Sequence, residues 1–126
     1  MFEQLMQYND IGLFIIRLAL ASIFIYHALP KFKNAKGMAQ GIGTSDNMVI
    51  ILGLVEFIAS VGLILGFYVQ LSALLLAIVM VGAIWLKTTK WKVPFAAMDK
   101  TGWEFDLILL SANIVILFGG GGSIRF

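Results

Sequence analysis

The sequence predicts an all-α integral membrane protein, a four-helix bundle, and three observations carry that prediction. Of 126 residues, 60% are hydrophobic and only 13% are charged, with a mean hydropathy of +0.96; soluble domains are roughly 45–50% apolar. The apolar residues fall in runs close to the roughly 20 residues that a helix needs to cross hydrocarbon, not in the short alternating segments of an outer-membrane barrel. The lysines gather in the stretches between those runs. A chain of this length makes one domain, residues 1–126.

Four spans follow in order: Ile11 to Leu29, Met48 to Gly66, Leu71 to Leu86, and Phe105 to Phe118, the last extended by its flanks to 103–119. Asp10 is the expected N-cap of the first span and Pro30 its stop, because proline restricts the residue before it. Asp46 is the expected cap of the second. Only Gly66-Phe67-Tyr68-Val69-Gln70 links the second span to the third, which makes them an antiparallel hairpin. The third and fourth spans are short for a core of roughly 30 Å, so Trp85, Trp91 and Trp103 are expected at the interfaces. Gly62 and Gly66 form a GxxxG pair, and Ala73 with Ala77 a second small-residue face; both predict close helix packing, within one chain or between copies in a homo-oligomer. The Gly119–Gly122 run lacks the lysine and helix of a phosphate loop and reads as a flexible terminator.

The first ten residues carry no lysine or arginine, unlike the basic start of a cleaved secretory signal, so the N-terminus is expected to be retained. Lys31, Lys33 and Lys36 lie in the first loop and Lys87, Lys90, Lys92 and Lys100 in the third, against Arg125 alone on the other face. The positive-inside rule places the lysine loops in the cytoplasm and both termini outside the cell membrane. The same asymmetry explains a pI near 9.0 without any nucleic-acid partner. Lysine-rich packing against anionic lipid is the expected role of the first loop. The chain has no cysteine and one histidine, which removes thiol redox chemistry and cysteine-ligated metals from what it can do by itself; no metal is expected.

Ionisable groups within the spans are the candidate site residues, since each costs at least roughly 2.5–3.5 kcal/mol to insert. They are Arg17, His27, Glu56, Glu104 and Asp106, with the amide of Asn113. At about 1.5 Å per residue, Arg17 lies about 9 Å and Glu56 about 15 Å below the outer ends of their spans. Asn113 lies near the depth of Arg17. The long arginine side chain is expected to bridge the offset and pair with Glu56, beside the alternatives of a purely structural ion pair or an arginine that turns outward to water. His27, Glu104 and Asp106 form a second polar layer near the cytoplasmic end. Glu104 and Asp106 point about 200° apart, so only one faces the interior, and Asp106 shares its face with Asn113. His27 is either a proton relay or an ordinary interfacial side chain.

The stretch Arg17-Leu-Ala-Leu-Ala-Ser-Ile-Phe-Ile-Tyr-His27-Ala-Leu-Pro-Lys31-Phe32 resembles the first helix of the DoxX family, small four-helix membrane proteins of bacteria and archaea. Glu56 with Gly62 and Gly66, the start Gly102-Trp-Glu104-Phe-Asp106, and the glycine-rich end with Ser123 resemble the family's later motifs in the same order. Ala28 stands where a glycine is common, Gln70 where many members have arginine, and no acid follows Ser123. The resemblance implies the bundle. It also implies a place in redox metabolism, since some members resemble the membrane subunit of a thiosulfate:quinone oxidoreductase and others are linked to redox-stress complexes. The expected function is a small membrane subunit that binds a quinone or similar lipid-soluble ligand, with Glu56, Arg17 and His27 managing charge and protons. It has no electron carrier of its own, so any oxidoreductase activity needs a bound carrier or a redox partner protein. The alternative is a non-catalytic scaffold or lipid- or solute-binding protein.

Overall fold

The computed structural model describes residues 1–126, and all its regular structure is helical, without strands. A 3-10 turn (Glu3–Tyr8) leads into α1 (Asn9–Lys33), followed by α2 (Ala35–Ile42), α3 (Asp46–Leu65), α4 (Val69–Trp85), a π-helical turn (Leu86–Lys90) and α5 (Trp103–Gly119). Three segments, Glu3–Lys33, Asp46–Leu65 and Val69–Lys90, are long and apolar enough to cross a membrane. The 17 residues of α5 rise about 26 Å, just under the hydrocarbon thickness.

The four long helices pack antiparallel in the circular order α1, α3, α4, α5, with α5 closing back on α1. Their shared core holds Leu20, Phe24, Leu63, Leu76, Leu109 and Ile116, each 5% exposed or less. Side chains on the opposite faces are bare: Ile58 is 66% and Phe118 82% exposed. A water-facing surface of that kind is unfavourable, whereas hydrocarbon solvates it without penalty.

Several local expectations are corrected. Pro30 does not end α1, which continues through it to Lys33; the Asn34 N–H bonds the Pro30 carbonyl at 2.7 Å. Near a helix end, proline forfeits a single backbone bond. Ser45, not Asp46, caps α3, its hydroxyl accepting from the Met48 N–H at 3.2 Å. Asp46 sits in the first turn, where its charge meets the positive end of the helix dipole. Asp10 lies one residue inside α1 and caps nothing; its carboxylate accepts from the Ser123 hydroxyl at 2.5 Å. The first loop contains α2, and the third loop is docked on it, with Lys90 Nζ 2.6 Å from the Ile42 carbonyl and Trp91 Nε1 3.1 Å from that of Gly41.

The small-residue motif works within the chain. A Cβ on Gly62 would stand 2.6 Å from Ser72 Oγ and 3.0 Å from the Phe67 carbonyl, so glycine is what lets α4 close on α3. Gly66 ends α3 at φ 84°, a left-handed conformation that turns the chain at once into α4.

Candidate functional site

Two polar layers are present, as the span arithmetic requires, but their pairings differ from those expected. In the layer nearer the chain termini Arg17 is fully buried. Its Nε donates to the Leu63 carbonyl at 2.7 Å, Nη1 to the carbonyls of Ile124 at 2.6 Å and Gly121 at 3.1 Å, and Nη2 to that of Ile64 at 3.4 Å. The guanidinium also lies 5.3 Å from the Phe14 ring centre. No carboxylate touches it. The expected Arg17–Glu56 pair is therefore absent, and side-chain direction explains why. Helical side chains lean toward the N-terminus of their own helix. Arg17 is thus carried toward the N-terminal end of α1, while Glu56 on the antiparallel α3 leans the other way, starting seven residues, about 10 Å, from Leu63.

The glycine run is a consequence of the same arginine and is not merely a flexible end. Gly120 and Gly122 have φ of 81° and 82°, and they aim the Gly121 and Ile124 carbonyls at Arg17. The tail is further fixed by the Phe126 N–H on the Leu65 carbonyl at 2.8 Å and by Phe126 against Phe14. Both termini consequently meet at one end of the bundle.

The second layer lies in the opposite half. Lys31 Nζ is 2.8 Å from Glu56 Oε1, with side-chain exposures of 13% and 1%. Lys31 leans into the bundle for the reason that Arg17 leans out of reach. The contact is an ion pair without the alignment of a directed hydrogen bond, and Glu56 Oε2 has no protein partner. Lys87 Nζ is 2.6 Å from Asp106 Oδ2, with exposures of 15% and 7%, and also donates to the Thr101 carbonyl at 3.3 Å. The π-helical turn sets this second pair. One extra residue per turn rotates Lys87 relative to α4, a distortion that the Thr88 and Thr89 hydroxyls support by bonding carbonyls up to four residues back.

His27 lies one helical turn before Lys31 on α1, with Lys31, Asp106 and Lys87 as the charges that bear on it. Its imidazole faces Phe105 at 5.8 Å between ring centres, is exposed at the chain surface and makes no hydrogen bond within the chain. Asp106 and Asn113 both face inward and are buried, while Glu104 is exposed and contributes no side chain to the layer. Asn113 Nδ2 donates to the Leu109 carbonyl at 2.9 Å and its Oδ1 is buried without a partner. Sequence reasoning does not count Lys31 or Lys87 among the site residues: it reads Lys87 as a loop charge, and Lys31 as a loop charge that also ends the first-helix motif. Their position within one turn of a span end was the available signal, since a lysine there reaches back into the span.

Two lysine–carboxylate pairs in the same half as a lone imidazole, with an unpartnered and buried carboxylate oxygen, are an arrangement able to hold and pass protons. The family model described as DoxX matches residues 12–89. The chain belongs to the DoxX family. It is 31% identical over 114 residues, 88% of this chain and 81% of the relative, to a Bacillus subtilis (strain 168) protein named "Putative oxidoreductase CatD". It is 27% identical over 123 residues, 96% of this chain and 92% of the relative, to a Haemophilus influenzae protein named only as uncharacterized. No solved structure matches the chain.

Proposed function

We propose that this chain is a small integral membrane subunit of redox metabolism that binds a quinone or similar lipid-soluble carrier in the lysine-loop half of the bundle. The observation that carries the reading is the burial of Glu56 and Asp106, each paired to a lysine, in the half that also holds His27. The family and the name of the Bacillus subtilis relative support a redox setting. The donor set suits the ligand: lysine ammonium groups donate to a carbonyl oxygen, and the unpartnered Glu56 Oε2 accepts from a hydroxyl. The carrier supplies two-electron chemistry, and a partner protein exchanges the electrons.

Glu56 and His27 are assigned the proton-holding roles, with Asp106 keeping Lys87 in place beside them. Arg17, whose guanidinium is occupied by four backbone carbonyls, is assigned a positioning role: it fixes the tail over the outer end. We place α5 across the bilayer as a fourth span, the lysine loops in the cytoplasm and both termini outside.

Mass spectrometry of gently purified protein, wild type against Glu56→Gln in matched detergent, tests the proposal. Stoichiometric quinone that is lost from a folded variant is the expected result. Consistently empty protein with a co-purifying polypeptide would replace it by the scaffold reading, which one observation favours: Lys33, Lys36, Lys92 and Lys100 are exposed on the lysine-loop face without an ion-pair partner.

A further inference from the structure

The two halves of the bundle interior are unlike in the direction that matters for Glu56. Toward the outer end, the first two turns above its carboxylate are occupied by Ala59, Leu63, Leu20 and Ile116, each 3% exposed or less. Beyond them the Arg17 guanidinium and the tail it holds close the end. That stretch spans about 10 Å, judged from the seven-residue step from Glu56 to Leu63, and is apolar except for Ser60 and Asn113, both fully buried. Its two polar side chains are each committed to the carbonyl one turn back, Ser60 Oγ donating to that of Glu56 at 2.7 Å and Asn113 Nδ2 to that of Leu109 at 2.9 Å, and the Arg17 guanidinium beyond them does not give up a proton. Toward the lysine loops the situation is reversed. Lys31, itself 13% exposed, stands against Glu56, and its stem packs with the Phe32 ring on Gly53 one turn further toward that end. The Lys87–Asp106 pair and His27 continue the polar layer from there to the surface.

We propose that Glu56 exchanges protons with water at the lysine-loop end alone, and that Lys31 is the gate of this one-sided access. When the Lys31 ammonium swings toward the headgroups, the carboxylate opens to that side. When it returns, Glu56 is closed to both. The free Oε2 is the atom that takes the proton, because Oε1 is the one against Lys31. The inference rests on the reading of Glu56 as a proton-holding group, and it gives that group a side of the membrane.

The native chain has no cysteine, so one introduced at Met98, fully exposed on the lysine-loop side, reports orientation in vesicles. A membrane-impermeant quaternary-ammonium carbodiimide is then added to one side at a time. The carboxyl adds across the reagent to form an O-acylisourea; the neighbouring lysine amine attacks its carbonyl carbon, an amide bond forms and a urea leaves. A Lys31–Glu56 amide located by mass spectrometry, formed only when the reagent is on the lysine-loop side, is the expected result. Formation from the tail side, equally from both sides, or from neither while Lys87–Asp106 is cross-linked, overturns the proposal. The gate is read separately with Glu56→Cys and an impermeant methanethiosulfonate. Adding Lys31→Ala is expected to speed modification from the lysine-loop side about tenfold, and an unchanged rate removes Lys31 as the gate. The carbodiimide arm uses wild-type residues at the site and stands if the cysteine variant does not fold. Neither arm contains quinone, so failure to find that ligand and failure of one-sided access are separate results.

Discussion

Lys31→Met should destabilise the bundle more than Glu56→Gln, although the two substitutions break the same pair. At 2.8 Å and an effective dielectric of about 20, the attraction is about 6 kcal/mol. Desolvation of the carboxylate offsets much of this. What remains depends on which partner is left behind. Lys31 is one turn from the end of α1 and 13% exposed, so once freed it can extend to headgroup water. Glu56 is at the middle of α3 and 1% exposed, with no such route. Lys31→Met is therefore expected to cost about 3 kcal/mol, the lower part of the range for stranding a buried charge. Glu56→Gln is expected to cost about 1 kcal/mol, the loss of one interaction with both groups still accommodated. The double variant should be more stable than Lys31→Met alone, giving a coupling of about 2 kcal/mol. Equilibrium unfolding of all four proteins in mixed micelles at neutral pH measures each value. Equal single costs, or a double variant whose loss is the sum of the singles, would refute the argument.

Other consequences follow from the outer half and the hairpin. Arg17→Gln should cost about 3 kcal/mol by removing charged donors from several carbonyls, and limited proteolysis should then cleave between Gly119 and Arg125; a tail that stays protected would show that Arg17 does not hold it. Because Arg17 and Glu56 are unpaired, Arg17→Gln and Glu56→Gln should be additive within about 0.5 kcal/mol, and a larger coupling in the same unfolding assay would restore their direct pairing. Gly62→Leu should cost about 1–3 kcal/mol by forcing α4 from α3, while Gly82→Leu, where a Cβ meets nothing within 4 Å, should be close to neutral; equal melting temperatures would contradict the assigned contact. Ser45→Ala should cost about 1 kcal/mol through the lost cap, more than Asp46→Asn, and the reverse order would make Asp46 the functional cap.

Several structural features were legible because they depend on one helix at a time. The apolar runs located α1, α3, α4 and α5, since the preference of each segment for hydrocarbon accumulates along the chain. The roughly 100° step per residue put Asp106 and Asn113 on one face and Glu104 on another, and the first two are buried while the third is exposed. The Gly62 motif was legible as close packing, but its partner, α4, was not.

The sequence by itself determined the class of fold, the antiparallel hairpin and the separation of polar residues into two layers, all of which follow from composition and helical period. Tertiary structure alone decided the partners: Glu56 with Lys31, Asp106 with Lys87, and Arg17 with the carbonyls of Leu63, Gly121 and Ile124. A partner is fixed by the axial stagger of neighbouring helices and by the lean of each side chain toward its own N-terminus. A shift of one turn, about 5.4 Å, is enough to exchange one neighbour for another, and no count along a single chain specifies that stagger.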